Sequence, residues 1–147
     1  MKRLILLTIC LLLAAGAVSA GEKKLLHCFY FTVEAGATED QWQAFFKVTD
    51  ELPGKVPGLT KVWYGKLARP MAVLSTSDAE ARKKLSAGEK DVTGPINRVV
   101  REWGACMEFS DAAALKAYAG HPEHKKWEEV YFKVRQYGTT TVDFMGQ

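Results

Sequence analysis

The chain has 147 residues, 48% of them hydrophobic and 25% charged, with 20 Lys and Arg against 17 Asp and Glu. That length suits one domain able to bury a core without covalent staples. Charges of both signs alternate through Lys83 to Lys90 and Glu123 to Arg135, leaving no basic face to neutralise phosphates, so nucleic acid is excluded as an expected partner.

Lys2 and Arg3 open the chain, an apolar run from Leu4 to Leu13 follows, and Val18-Ser19-Ala20 places small residues at a cleavage position. Residues 1 to 20 therefore read as a signal peptide. A membrane anchor is the alternative, but residues 4 to 20 fall short of the roughly 20 apolar residues that span a bilayer. The expectation is an exported protein, periplasmic or secreted, with no membrane attachment once residues 21 to 147 are released as one domain. Cys10 lies within the apolar run and reads as a signal residue. Cys28 and Cys106 each sit in a strand-like run. Cross-strand Cβ separations of about 4.5 to 5.5 Å usually exceed what a disulfide needs, so two buried thiols are expected, with a bond as the alternative.

Residues 26 to 33, rich in aromatic and β-branched types, predict a strand that ends near Gly36. Thr38 with Gln41 forms a capping box for a helix whose Trp42, Phe45, Phe46, Thr49 and Leu52 follow the helical period, with Pro53-Gly54 ending it. Residues 59 to 67 predict a second strand, with Val62 and Tyr64 on one face and Leu59, Trp63 and Leu67 on the other. Residues 68 to 95 read as a solvated insertion, in which Ser77 and Glu80 cap a short helix to Leu85. A third strand is expected over 97 to 109. Ser110 then caps a helix carrying Leu115 and Tyr118, which stops at Gly120. A second helical piece restarts at Pro122, with Trp127, Val130, Tyr131 and Val134 on one face. Gly138 closes it, and Thr139 to Phe144 predicts a fourth strand. The four tryptophans, Trp42, Trp63, Trp103 and Trp127, all sit at core-like spacing and read as packing residues.

This order matches the β-α-β-β-α-β ferredoxin-like unit, an α+β fold with helices on one face of a four-stranded antiparallel sheet. The other face is bare, and aromatic residues there, with Tyr30 and Tyr64 expected among them, call for self-association into a homodimer.

His27 at the head of the first strand, the capped helix from Ala35 to Phe46, Tyr64-Gly65, Phe109, Tyr118 with His121-Pro122-Glu123-His124, and Val142-Asp143-Phe144 occur in the order found in one family. The chain resembles a stress-responsive A/B barrel domain, also called a Dabb or dimeric α/β barrel domain. The resemblance spans residues 27 to 144, with 68 to 95 matching poorly. It implies a homodimer with facing sheets. Most members have no assigned reaction, while a ring-closing plant member places its catalytic Tyr and His on Tyr118 and His124. That member has aromatic residues where this chain has Thr49 and Arg135, so its substrate does not carry over.

Two readings of the site stand side by side. In one, His124 lies in the first turn of its helix, where the positive end of the dipole opposes a charged ring and suits a proton acceptor. Tyr118, across the break at Gly120, then donates to a developing enolate oxygen, making the chain a cofactor-independent cyclase or isomerase acting on a carbonyl compound. In the other, Tyr118 packs, His121 caps, His124 bonds nearby backbone, and the protein only binds a small apolar or aromatic ligand or serves a stress response. His27, Tyr30 and Tyr64 are the expected ligand-facing residues, with a satisfied edge histidine the alternative for His27. No metal-ligand spacing, Gly-rich phosphate loop or nucleophile elbow occurs, so no metal or other cofactor is argued.

Overall fold

A computed structural model describes residues 23 to 146; the expected signal peptide, with Cys10, lies outside the described residues. The elements run β1 (Leu25–Val33), α1 (Glu39–Lys55), β2 (Leu59–Ser75), α2 (Ala79–Ser86), β3 (Asn97–Phe109), α3 (Ala112–Tyr118), α4 (Pro122–Val134) and β4 (Arg135–Met145). The strands form one antiparallel sheet in the order β2-β3-β1-β4. This is the expected ferredoxin-like arrangement.

Strand alternation decides which side chains meet the helices. Leu25, Phe29 and Phe31 of β1 are buried on the covered face, as are Ala105, Met107 and Phe109 opposite them on β3. They pack against Phe45 and Leu52 of α1 and Trp127, Tyr131 and Val134 of α4. One polar residue ties the two helices together. Thr49, fully buried, donates to the Phe45 carbonyl at 2.6 Å and accepts from the Trp127 indole N–H at 2.9 Å.

The opposite face carries Leu26, Cys28, Tyr30, Trp63, Cys106, Val142 and Phe144 with no helix over it. Trp63, Val142 and Phe144 are 42%, 38% and 52% exposed within the single chain. Tyr30 lies across Gly104, its register partner; a Cβ there would come within 2.7 Å of the ring, so the position admits no side chain.

Several local expectations are corrected. Cys28 and Cys106 are disulfide-bonded rather than free. They are direct register partners with Cα atoms 4.0 Å apart, nearer than the about 4.5 to 5.5 Å between the Cα atoms of ordinary antiparallel pairs, which brings the side chains within bonding reach. Tyr64 is on the covered face, not the bare one. A register shift between Leu59 and Lys61 sets Leu59, Val62 and Tyr64 together under the helices and leaves Trp63 outside, so Trp63 is not a core residue. β2 continues past residue 67 to Ser75, pairing Met71 to Ser75 with Asn97 to Arg101, so the insertion is a long hairpin arm carrying α2. Pro70, which cannot donate to a ladder, falls inside a second register shift between Lys66 and Met71. α1 runs through Pro53 to Lys55, and the N-caps of α2 and α3 are Asp78 and Asp111 in place of Ser77 and Ser110.

Candidate functional site

A cleft of about 210 Å³ opens between α4 and the β1–β4 side of the sheet, lined by Phe29, Trp127, Tyr131 and Phe132 and by the polar groups described below. Its geometry starts at the break between α3 and α4. The Tyr118 carbonyl accepts from the His121 N–H at 2.9 Å, and the His121 Nδ1 accepts from the Glu123 N–H at 3.2 Å, capping α4. The chain turns within residues 119 to 121, and the Tyr118 and His124 rings end with centroids 4.3 Å apart.

Tyr118 is 4% exposed and packs on Phe109, and its hydroxyl is buried without a hydrogen-bond partner. Burial first, and the Glu128 carboxylate second, push its pKa up, so the phenol keeps its proton. His124 Nδ1 lies 3.2 Å from the Ala119 carbonyl oxygen. A carbonyl only accepts, so Nδ1 carries the hydrogen and Nε2 of the neutral ring holds the free lone pair. Glu128 Oε1 stands 3.9 Å from that Nε2.

The floor is fixed from behind. The Trp127 indole, held by Thr49, stacks on Tyr131 at 4.5 Å, and the Tyr131 hydroxyl lies 3.1 Å from Thr139 Oγ1. At the sheet wall, His27 Nδ1 meets Asp143 Oδ1 at 2.6 Å, the pair being direct register partners on β1 and β4. Arg135 closes the far end. Its guanidinium lies over the Tyr131 and Phe132 rings at 4.8 and 4.6 Å, Nη1 donates to the Gln136 carbonyl, and Nε is buried with no partner. An unsatisfied buried polar group costs about 1 to 3 kcal/mol, and both such groups among the described residues belong to side chains that line this cleft.

Of the residues singled out from sequence, Tyr118, His124 and His27 line this cleft together. Tyr30 and Tyr64 do not. Tyr30 is on the opposite face, and Tyr64 stacks on Phe46 at 5.3 Å with its hydroxyl donating to Asp50 at 2.8 Å. Glu128, Arg135 and Asp143 were not singled out as site residues. The signal for Glu128 was its spacing four residues after His124, which puts both on one helix face; Asp143 and Arg135 needed the strand register and the α4–β4 junction. Among the described residues no group of three His, Cys, Asp or Glu is placed to hold a metal ion.

No protein-family profile matches the chain, and no curated protein sequence matches it significantly. Solved structures do. A dimeric ferredoxin-like protein of unknown function from Jannaschia is 21% identical, with a TM-score of 0.54 over 82% of this chain and 97% of that one. A dabb family protein with a ferredoxin-like fold from Mesorhizobium loti is 15% identical, with a TM-score of 0.53 over 86% and 99%. A hydroxynitrile lyase from Passiflora edulis is 10% identical, with a TM-score of 0.56 over 86% and 95%. At such identities the likeness establishes the fold: this chain is a ferredoxin-like α+β domain of a kind that includes dimeric proteins.

Proposed function

We propose that this is an exported, homodimeric A/B barrel (Dabb-type) protein that binds a small carbonyl compound between α4 and the sheet and removes an acidic proton from it without a cofactor. The observation that carries this reading is the buried, unpartnered Tyr118 hydroxyl, on a ring 4.3 Å from that of His124, in a cleft of about 210 Å³. In the proposed step the C–H bond next to the carbonyl breaks and its proton passes to His124 Nε2. The electron pair moves onto the carbonyl oxygen, where the Tyr118 O–H donates to the enolate, and Glu128 offsets the charge of the imidazolium. Return of the proton to another atom, or attack of the enolate within the molecule, completes an isomerisation or ring closure.

The motif resemblance to the plant olivetolic acid cyclase supports the Tyr–His assignment, and the hydroxynitrile lyase among the structural neighbours shows that this fold can carry an enzyme. Export weighs against that cyclase's substrate, because coenzyme-linked thioesters stay in the cytoplasm. The dimer reading rests on the exposed Trp63, Val142 and Phe144 of the bare face and on the dimeric neighbours.

Deuterium exchange next to the carbonyl of phenylpyruvate and related small ketones, followed by NMR in D2O, tests the chemistry. Exchange above the buffer rate is expected, falling at least about 100-fold in His124→Ala and at least about 10-fold in Tyr118→Phe. Wild-type exchange no faster than either variant sinks it. A second reading, binding without reaction, is favoured by the His124 Nδ1 bond to Ala119, which ties the ring to the C-terminal end of α3 as a capping side chain does. Ligand binding with no exchange selects it.

A further inference from the structure

We propose that Arg135 seats a carboxylate, so that the cleft selects a carbonyl compound that also carries an acid group at its other end. This rests on the reading of the cleft as a small-molecule site and adds the class of molecule.

The guanidinium is already held in every way but one. Two aromatic rings, Tyr131 and Phe132, fix its plane, and the Gln136 carbonyl takes Nη1. Nε is buried and has no partner, and among the described residues no carboxylate lies within ion-pair reach of Arg135. Nε and Nη2 form the edge of a guanidinium that takes a carboxylate through two parallel hydrogen bonds. A half-buried cation on the cleft wall with that edge unused is therefore complementary to a planar anion.

The rest of the cleft sets the orientation. Glu128 brings a negative charge beside His124 Nε2, so an anionic group is repelled from that end. His27 already has its carboxylate in Asp143. Tyr118 offers an uncharged donor, suited to a carbonyl oxygen. His124 and Arg135 stand eleven residues apart on α4 and its cap, which at helical rise separates their Cα atoms by about 16 Å. Both side chains line the same cleft, with Trp127 and Tyr131 between them in sequence and on its wall. The acid group sits at Arg135, the apolar body on Trp127 and Tyr131, and the carbonyl at Tyr118.

Titration calorimetry with 4-acetylbenzoate, whose ketone and acid stand at opposite ends of one aromatic ring, and with its methyl ester, on the full disulfide-bonded protein, tests this. The acid is expected to bind at least about 10-fold tighter than the ester, the size of effect a charge-assisted pair gives. Arg135→Gln should bring the acid to the ester's affinity and leave the ester unchanged, and Arg135→Lys should restore part of the difference. Acid and ester binding alike to the wild-type protein overturns the proposal without any variant having to fold. If both then weaken in Tyr118→Phe, the cleft reading survives and only the role of Arg135 falls. If neither binds, both fall together. Equal weakening of acid and ester in Arg135→Gln makes the arginine a packing residue and also overturns the proposal.

Discussion

The two faces of this sheet are built from the same strands yet solve different problems. The covered face is closed by aromatic packing, with Phe31, Phe45 and Phe109 almost without solvent contact, and its few polar groups are either bonded within the chain or turned to the cleft. On the bare face the closest substitute for a packed layer is covalent: Cys28–Cys106 joins the two central strands where no helix lies above them. One face spends apolar area on its own stability, and the other leaves Trp63, Val142 and Phe144 exposed within the single chain. On the proposed reading, the exposed Trp63 and Phe144 of the bare face serve assembly, and the unpaired atoms of Tyr118 and Arg135 serve ligand binding.

Paired substitutions sharpen this contrast most. Phe45→Ala, in the covered core, is expected to cost about 3 to 5 kcal/mol in chemical denaturation. Trp63→Asp, on the bare face, should leave the unfolding of the single chain within about 1 kcal/mol while converting the dimer to monomer in light scattering. Equal destabilisation by the two would show that the faces do not divide the work in this way.

Removing the crosslink comes next. Cys28→Ala with Cys106→Ala opens a link between residues 78 apart in sequence, and the expected loss is about 2 to 5 kcal/mol. Ligand affinity of the remaining folded protein should stay the same, since neither sulfur lines the cleft. Intact mass of the wild-type protein recovered from its producing cell should correspond to a chain starting at Gly21 with the bond closed; a chain starting at Met1 would remove the export reading.

The smallest effect is a pH dependence confined to the covered face. Tyr64 is pushed up to about 12 from its ordinary value of 10.0, by burial first and then by its bond to Asp50. A raised folded-state pKa contributes stability that is complete below the unfolded value and is lost as pH rises through the folded one. Stability should therefore fall between about pH 10 and 12, and Tyr64→Phe should flatten part of that fall. The rest should remain, because burial also raises Tyr118 and Tyr131 in the same direction. An unchanged alkaline slope in Tyr64→Phe would contradict the assignment.

The order of elements was legible in the sequence because each carries a local signal: the Thr38–Gln41 box, the helical period through Trp127 and Val134, and the β-branched run near residue 140. What local signals cannot carry is register. Tyr64 and Trp63 exchanged faces because one extra residue at the start of β2 shifts everything after it. The same limit hid Asp143 from His27 and made the disulfide hard to read, since both depend on which residues of distant strands stand opposite each other. Tyr118 and His124 were legible together because a short break joins their helices. Arg135 was seen only as a departure from an aromatic position, and its unused edge emerged from what packs around it.

The crosslink has a further consequence for how the molecule is assembled. The sequence holds three cysteines, and the one outside the described domain is Cys10. A chain that has lost residues 1 to 20 keeps two, and two thiols within one molecule admit a single intramolecular isomer, whereas four would admit three. Oxidation then has no wrong intramolecular answer to shuffle away from, and the competing product is a crosslink between two chains. Removing the leader would remove the one other thiol as well, turning a choice among pairings into a simple closure.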